Sequence, residues 1–284
     1  MEIQKSFKQD KSCLYLVATP IGNLGDMTPR AIETLKAVDL IAAEDTRHTK
    51  KLCHYFEIET PLTSYHEHNK TTKGGYILQL LQQGKDIALV SDAGLPCISD
   101  PGYEVVQEVI AAGYAVVPIP GANAALTSLI ASGLAPQPFI FYGFLNRDKK
   151  KKKKELDELR YQPFTTIFYE SPHRINETLN AMLDTLGDRQ VVIARELTKQ
   201  YEEFIRGPIS TIIPSAGELR GEMVVLIEGS KEKQIEEVWW QHIPVIEHVE
   251  HYLNEGLSTN DSIKKVAKER GLAKNEVYRE YHVN

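Results

Sequence analysis

The sequence contains no apolar stretch that approaches the roughly 18 residues a membrane-spanning helix needs. Its first ten residues are mostly polar and include no apolar signal core. Cysteine is scarce, since Cys13, Cys53 and Cys97 stand far apart and form no Cys-x-x-Cys pair. These absences argue against a membrane span, a secretory signal, a disulfide framework and a zinc site. We therefore expect a protein of the reducing cytoplasm.

An excess of positive charge is also missing. The 284-residue chain has 33 Lys and Arg against 39 Asp and Glu, a formal net charge of −6. This balance argues against a protein that coats nucleic acid non-specifically, so any RNA contact must come from a local basic patch. The length exceeds that of a usual single domain. We expect an α/β domain over residues 1–120, a second over residues 121–230 and a helical tail over residues 231–284.

The chain is organised around residues 86–102. Residues 87–90 form an unbroken apolar run, which is typical of a parallel strand covered on both faces. Small and polar residues follow at 91–94, and in open α/β sheets ligands bind beyond the carboxyl ends of the strands. Small residues let a ligand approach the backbone, and Pro96 stiffens the loop. The alternative is an ordinary strand-to-helix loop without a ligand.

Further apolar runs alternate with helical patterns in the N-terminal half. We predict strands at residues 14–18, 40–43 and 115–120 with helices between them, which together make a doubly wound parallel sheet. The strand at 40–43 is followed by the charged residues 44–47, a position that suits a cleft. A solvated helix start with an acidic residue near its N-terminus explains this stretch almost equally well.

In the second half, strands are predicted at 139–142, 165–169, 191–194 and 223–227, and three of them end or begin in clustered charge. A helix begins with small residues near residue 121, which indicates close packing against either another helix or a ligand.

A run of six lysines, residues 149–154, precedes a helical pattern. A charge run of this kind is usually a mobile, solvated helix start. The alternative is an arm that follows the phosphates of single-stranded RNA, where each neutralised phosphate adds about 0.7 to the salt dependence of binding.

The tail reads as two short helices separated by Gly271, a helix-turn-helix in outline. A capping helical hairpin and a nucleic-acid-binding hairpin explain this pattern equally well.

Together these stretches resemble the ribosomal RNA small-subunit methyltransferase I family, which belongs to the tetrapyrrole methylase superfamily. The resemblance is strong over about residues 12–230 and looser in the tail. It rests on several motifs in matching order: TPIGNLGD at 19–26, EDTR at 44–47, SDAGLP at 91–96, DPG at 100–102, PGAN at 120–123, FYESPHR at 168–174, ARELTK at 194–199 and GEMV at 221–224.

The resemblance implies two α/β domains of the tetrapyrrole methylase type, with a parallel N-terminal sheet, a mixed C-terminal sheet and a helical appendage. It also implies a homodimer that uses S-adenosylmethionine to methylate the 2′-hydroxyl of a cytidine in the decoding region of 16S ribosomal RNA, within the small ribosomal subunit. By motif position, the residues expected to bind the donor are Pro20, Ser91, Asp92, Ala93, Gly94, Pro96, Asn123, Ala124, Tyr169, Glu170 and Met223.

Methyl transfer to a hydroxyl needs the reacting atoms held in line, and removal of the hydroxyl proton by a positioned base contributes roughly 10²–10⁴-fold. The candidate bases are Glu170, Glu196 and His173. No metal is expected. The residues expected to contact RNA phosphates are Arg47, Lys149, Lys150, Lys151, Lys152, Arg174 and Arg195.

Two other functions stay open. A small-molecule methyltransferase of the tetrapyrrole type would share the fold but would not need RNA or the lysine run. A DNA-binding regulator would use the tail hairpin, although the tail is only weakly basic.

Overall fold

The structure, a computed structural model, describes residues 3–6, 11–232 and 239–283. The chain divides into two compact units, residues 1–232 and residues 233–284. Both sheets belong to the first unit, and the division between them near residue 120 stays a prediction. Parts of the polar N-terminus and of the predicted tail, namely residues 1–2, 7–10, 233–238 and 284, lie outside the described residues.

The first sheet has five parallel strands in the order β3-β2-β4-β1-β5. This arrangement confirms the predicted parallel, doubly wound sheet. The additional strand is β3, which the sequence pattern did not reveal because it has only three, half-buried residues. The strands are β1 (Cys13–Val17), β2 (Leu40–Ala43), β3 (Leu62–Ser64), β4 (Ile87–Val90) and β5 (Ala115–Ile119).

Four helices cover this sheet: α1 (Pro29–Ala37), α2 (Thr46–Tyr55), α3 (Lys70–Gln82) and α4 (Tyr103–Ala111). Apolar residues of α1 and α2 pack in one core cluster, and those of α3 and α4 in another. Helix α1 begins at Pro29, because the Thr28 side chain accepts a hydrogen bond from Ala31 N and proline suits the first helical position. The charged stretch 44–47 proves to be a helix start, with Asp45 as the N-cap of α2.

The second sheet is mixed, as expected, with the order β6-β7-β10-β8-β9. Strands β6 and β7 run parallel, and the other neighbours are antiparallel. Strand β9 was not predicted, because its residues are partly polar and largely half-buried. The strands are β6 (Phe139–Phe144), β7 (Thr165–Glu170), β8 (Gln190–Arg195), β9 (Glu203–Pro208) and β10 (Met223–Ile227).

The helices of this region are α5 (Ala124–Ser132), α6 (Lys149–Leu159), α7 (Ile175–Leu186) and α8 (Ile209–Ala216). Helix α5 packs on one face of the second sheet, in a cluster that includes Leu129 and Ile167. Helices α6, α7 and α8 contribute to the cluster on the opposite face, which includes Leu156 and Phe168. Each strand of the sheet centre therefore sends alternate side chains into two different cores.

The second unit contains three helices in its described part: α9 (Val245–Asn254), α10 (Thr259–Arg270) and α11 (Lys274–Val283). They share a small core that includes Val249, Val266 and Val277. Ser258 is the N-cap of α10, and its side chain accepts a hydrogen bond from Asp261 N. Across the described residues, no helix has the length and apolarity that crossing a bilayer requires.

Candidate active site

The loops that follow β1 and β4 are bonded to each other. Thr19 N donates to Gly94 O at 2.9 Å, and Gly94 N donates to Thr19 O at 3.0 Å. The strands β1 and β4 are neighbours in the sheet, so their carboxyl ends bring these loops together. Gly94 has a φ of +82°, and a Cβ there would lie 3.3 Å from Ile21 Cγ2 and 3.5 Å from Ala122 O. There is therefore little room for a side chain at Gly94, and its backbone forms the floor of a cleft.

A cleft of about 640 Å³ opens over this floor, between the carboxyl ends of the first sheet and the strand ends of the second. Its volume lies within the range of about 300–1,000 Å³ that small-molecule sites occupy. The wall is largely apolar. The lining residues are Ile21, Phe144, Ala194, Lys199 and those at positions 93–95, 98–100, 123–124, 169–172, 196–197 and 221–224.

The N-terminus of α5 contributes the next part of the wall. Asn123 is the N-cap, and its Oδ1 accepts a hydrogen bond from Leu126 N at 2.9 Å. The preceding Gly121 packs so closely on Ala18 that an added Cβ would lie 2.7 Å from Ala18 Cβ. The small residues at this helix start therefore let α5 pack closely on the end of β1. The N-terminus of α5 is also the positive end of the helix dipole, which favours a negative charge in the cleft.

Tyr169 and Glu170 end β7 and point to opposite faces of the sheet, because side chains alternate along a strand. Tyr169 packs on the α5 face, with its ring edge-on to Phe141 and Phe144 at centroid distances of 5.1 and 5.6 Å. Burial raises the pKa of its hydroxyl, so the Tyr169 phenol stays protonated.

Glu170 is buried on the α7 side, with 4% of its surface exposed. Its Oε2 accepts a hydrogen bond of 2.6 Å from the Thr178 hydroxyl, and its Oε1 accepts one of 2.8 Å from Ser171 N. Arg174 Nε lies 3.5 Å from Oε1. Both carboxylate oxygens are therefore used to hold the loop after β7 against α7, although the residue still reaches the cleft wall.

A charged trio stands at the ends of β8 and β10. Lys199 Nζ lies 3.1 Å from Glu196 Oε1 and 3.0 Å from Glu222 Oε2. Burial by itself lowers the pKa of Lys199, but the carboxylates of Glu222 and Glu196 more than compensate and raise it, so the residue stays cationic. Glu196 and Thr198 have φ values of +50° and +66°. Such strained backbone gathers at functional sites, where the surrounding structure holds it in place.

A second acidic group lies on the side of the first sheet. Asp100 lines the cleft, and burial raises its pKa to about 6, with further contributions from the charges of Glu44 and Asp92. Burial also raises the pKa of Glu44, at the end of β2. Asp92 is bonded into this region, since its Oδ1 accepts a hydrogen bond of 3.1 Å from Asp45 N. Within the described ranges 3–6, 11–232 and 239–283, no group of three His, Cys, Asp or Glu could hold a metal ion.

Comparison with known proteins agrees with this arrangement. Residues 13–213 match the family model of the Tetrapyrrole (Corrin/Porphyrin) Methylases. The chain is 60% identical over 286 residues to ribosomal RNA small subunit methyltransferase I of Bacillus subtilis (strain 168), with 99% of this chain and 98% of that protein covered. The chain belongs to the ribosomal RNA small subunit methyltransferase I family.

Other members of the family match over nearly their whole length. The protein of that name from Halalkalibacterium halodurans is 54% identical, with 99% of both chains covered. The one from Synechocystis sp. is 45% identical, with 93% of this chain and 95% of that protein covered. A solved structure, uroporphyrin-III-C-methyltransferase from Thermus thermophilus, has a TM-score of 0.57 at 16% identity and covers 77% of this chain and 94% of its own. At that identity, the likeness concerns the fold alone.

The cleft of this family member contains part of the predicted donor and base set. The predicted residues that line it are Ala93, Gly94, Asn123, Ala124, Tyr169, Glu170, Glu196 and Met223. The others, which lie outside its lining, are Pro20, Ser91, Asp92, Pro96 and His173. Ser91 and Pro96 are buried beneath the loop, whereas His173 is exposed. The roles of all these residues stay predictions.

Some of the residues predicted to contact RNA are exposed to solvent, whereas others are bound to groups of the protein. Lys149, Lys150 and Lys151 are exposed on α6. Lys152 corrects the prediction: it is 2% exposed, and its Nζ lies 2.9 Å from Glu177 Oε1. On α6 it shares the inner face with Leu156, one helical turn further on, so it cannot reach a phosphate.

The three arginines predicted to contact RNA also differ in how far protein groups occupy their side chains. Arg47 is exposed and pairs with Asp45 at 2.7 Å. Arg195 pairs with Glu203. Arg174 Nη2 donates to Leu145 O at 2.8 Å and to Asn146 O at 3.3 Å, so its guanidinium is mainly committed to the protein.

Several cleft residues escaped the site prediction although they stand in the quoted motifs. They are Asp100, the first residue of DPG, Lys199, the last residue of ARELTK, and Glu222, the second residue of GEMV. Their motif positions were a usable signal. Their convergence from two sheets was not visible in the sequence.

Proposed function

We propose that this protein transfers a methyl group from S-adenosylmethionine to the 2′-hydroxyl of a cytidine in the decoding region of 16S ribosomal RNA. The observation that carries the proposal is the full-length identity of 60% with a protein named ribosomal RNA small subunit methyltransferase I. The cleft at the strand ends supports it, because a largely apolar wall with a few carboxylates and a lysine suits both a small-molecule donor and proton removal from a hydroxyl.

The residues of the cleft suit this donor. Its apolar wall, with Ile98 and Leu197, can bury an adenosyl group, and the bare backbone at Gly94 allows close approach. The first turn of α5, behind Asn123, can receive a carboxylate. When bound, the donor supplies an electrophilic methyl group on a positively charged sulfur. The protein's part is to hold that group, orient the hydroxyl and accept its proton.

The exposed lysines of α6 support an RNA substrate. Five lysines, at positions 149–151, 153 and 154, are exposed. The N-cap Asp148 accepts hydrogen bonds from Lys150 N and Lys151 N at 3.1 and 3.0 Å, which holds the helix start in place. The run is therefore an ordered helical surface of one charge sign, which suits phosphate contacts.

A small-molecule substrate of the tetrapyrrole type is the alternative. The fold shared with uroporphyrin-III-C-methyltransferase suggests it, but the 16% identity gives it no further support. A homodimer, action on the assembled small subunit and a cytoplasmic location remain part of the proposal, and light scattering of the purified protein tests the first of these.

The deciding experiment maps ribose methylation on ribosomal RNA from cells with and without the protein. Purified protein and labelled donor are then added to small subunits, to free 16S RNA and to uroporphyrinogen III. We expect one cytidine 2′-O-methyl group to disappear in the deletion strain and to return in vitro. Labelling of the porphyrinogen but not of the RNA would reverse the assignment.

A further inference from the structure

Asp100 differs from the other carboxylates of the cleft in its contacts. Four carboxylates line the cleft: Asp100, Glu170, Glu196 and Glu222. Glu170 is bonded at both oxygens, and Glu196 and Glu222 share the ammonium of Lys199. Over the part of the chain that the structure describes, no cation pairs with Asp100. Asp100 is therefore the lining carboxylate whose negative charge is not shared with a lysine or arginine of the described residues.

The surroundings of Asp100 make it a stronger base than an ordinary aspartate. Burial is the main cause of its raised pKa, and the charges of Glu44 and Asp92 add to it, while the nearby Ser91 hydroxyl opposes the rise. At about 6, its pKa lies below neutral pH, so the group is mostly ionised in the cell yet holds a proton well. A base with a pKa near the working pH is the most effective.

Two uncharged groups complete this environment. The Cys97 thiol is kept protonated, since burial, Asp100 and Glu104 raise its pKa to about 11. Burial raises the pKa of the Tyr169 hydroxyl, and the charge of Asp100 adds to this rise. Asp100 thus lines the same cleft as Phe144 and Tyr169, and its charge acts on the Cys97 thiol and the Tyr169 hydroxyl.

We propose that Asp100 is the general base of the methyl transfer. The inference rests on the proposed function. The proton leaves the substrate hydroxyl for the Asp100 carboxylate, and the oxygen lone pair forms the bond to the methyl carbon. The carbon–sulfur bond breaks, and its electron pair neutralises the sulfonium. Asp100 then releases the proton to solvent.

The test compares Asp100→Asn with Asp184→Asn, an exposed aspartate on α7. Asp100→Asn is expected to slow single-turnover methylation at saturating donor and RNA at least ~10²-fold, with the donor Kd, from calorimetry, changed less than about tenfold. Asp184→Asn keeps the wild-type rate. A wild-type rate in Asp100→Asn, or full rescue by donor concentration, would overturn the inference.

The pH profile gives a second, independent readout. The wild-type single-turnover rate should rise with pH up to about 6 and then level off, and Asp100→Asn should lose this inflection. Glu44→Gln removes a charge that raises the Asp100 pKa, so its inflection moves to lower pH while the plateau persists. If Glu44→Gln abolishes the inflection and Asp100→Asn retains it, the base is Glu44 instead.

A measurement without donor or RNA checks the titration itself. The folded-state pKa of Asp100 is raised above its ordinary value of 3.8, so its contribution stabilises the fold at low pH and is lost as pH rises through about 6. Asp100→Asn should therefore be at least as stable as wild type at pH 7, and its advantage should vanish near pH 4. A variant equally destabilised at both pH values would contradict this.

Failure of the inference can be told apart from failure of the proposed function. If wild-type protein binds the donor but methylates no ribosomal RNA, the proposed function fails. If wild type is active and Asp100→Asn is equally active, only the role of Asp100 fails.

Discussion

Replacement of Lys152 by alanine separates the structural lysine of α6 from the lysines that we propose bind RNA. The lost side chain removes three buried methylene groups at about 0.8 kcal/mol each, or about 2.4 kcal/mol. The ion pair adds only ~0.5 kcal/mol, because the Glu177 side chain is 48% exposed. The variant recovers roughly 1.5 kcal/mol of side-chain entropy, so we expect a net loss of about 1–2 kcal/mol.

Urea unfolding followed by circular dichroism measures this change, and Lys151→Ala is the matched control on the exposed face. Lys151→Ala should stay within about 0.5 kcal/mol of wild type. In RNA binding the effects of the two variants should be reversed. Lys151→Ala should lower the slope of log binding constant against log salt concentration by about 0.7, and Lys152→Ala should leave this slope unchanged. The reasoning is refuted if both variants lose equal stability, or if Lys152→Ala changes the salt dependence as much as its neighbour does.

Three further outcomes follow from single contacts. Gly94→Val should abolish donor binding in calorimetry with the fold retained, whereas Gly113→Val, which has a similar φ but open space around it, should keep binding; equal loss in both would point to backbone strain alone. Glu170→Gln should reduce stability through its bonds to α7 and slow single-turnover methylation far less than Asp100→Asn, and a ~10²-fold loss at saturating donor would return Glu170 to the role of base. Burial, together with the charge of Arg270, lowers the pKa of His248, so the tail should lose stability as pH falls below about 6.5. Urea unfolding followed by tryptophan fluorescence measures this, and an unfolding midpoint that stays constant across that pH range would contradict it.

Patterns confined to one element could be interpreted correctly from the sequence. The strands Leu40–Ala43, Ile87–Val90 and Met223–Ile227 have the predicted bounds, because the apolar run that marks a buried strand extends over only a few residues. Strands with weak patterns escaped detection. Strand β3 is three residues long and β9 is partly polar, so neighbouring strands in the sheet decide their structure.

Motif order by itself determined the family and the stretches from which the cleft is built. Which side chain faces the cleft depended on tertiary structure. Tyr169 and Glu170 are adjacent in one motif, yet the pleat sends one toward α5 and the other beneath α7. Lys152 is one of six identical neighbours, and only the packing of α6 on α7 buries it. The electrostatics of Asp100 arise because β2 and β4 are adjacent in the sheet, which brings Glu44 close to it from a distant part of the chain.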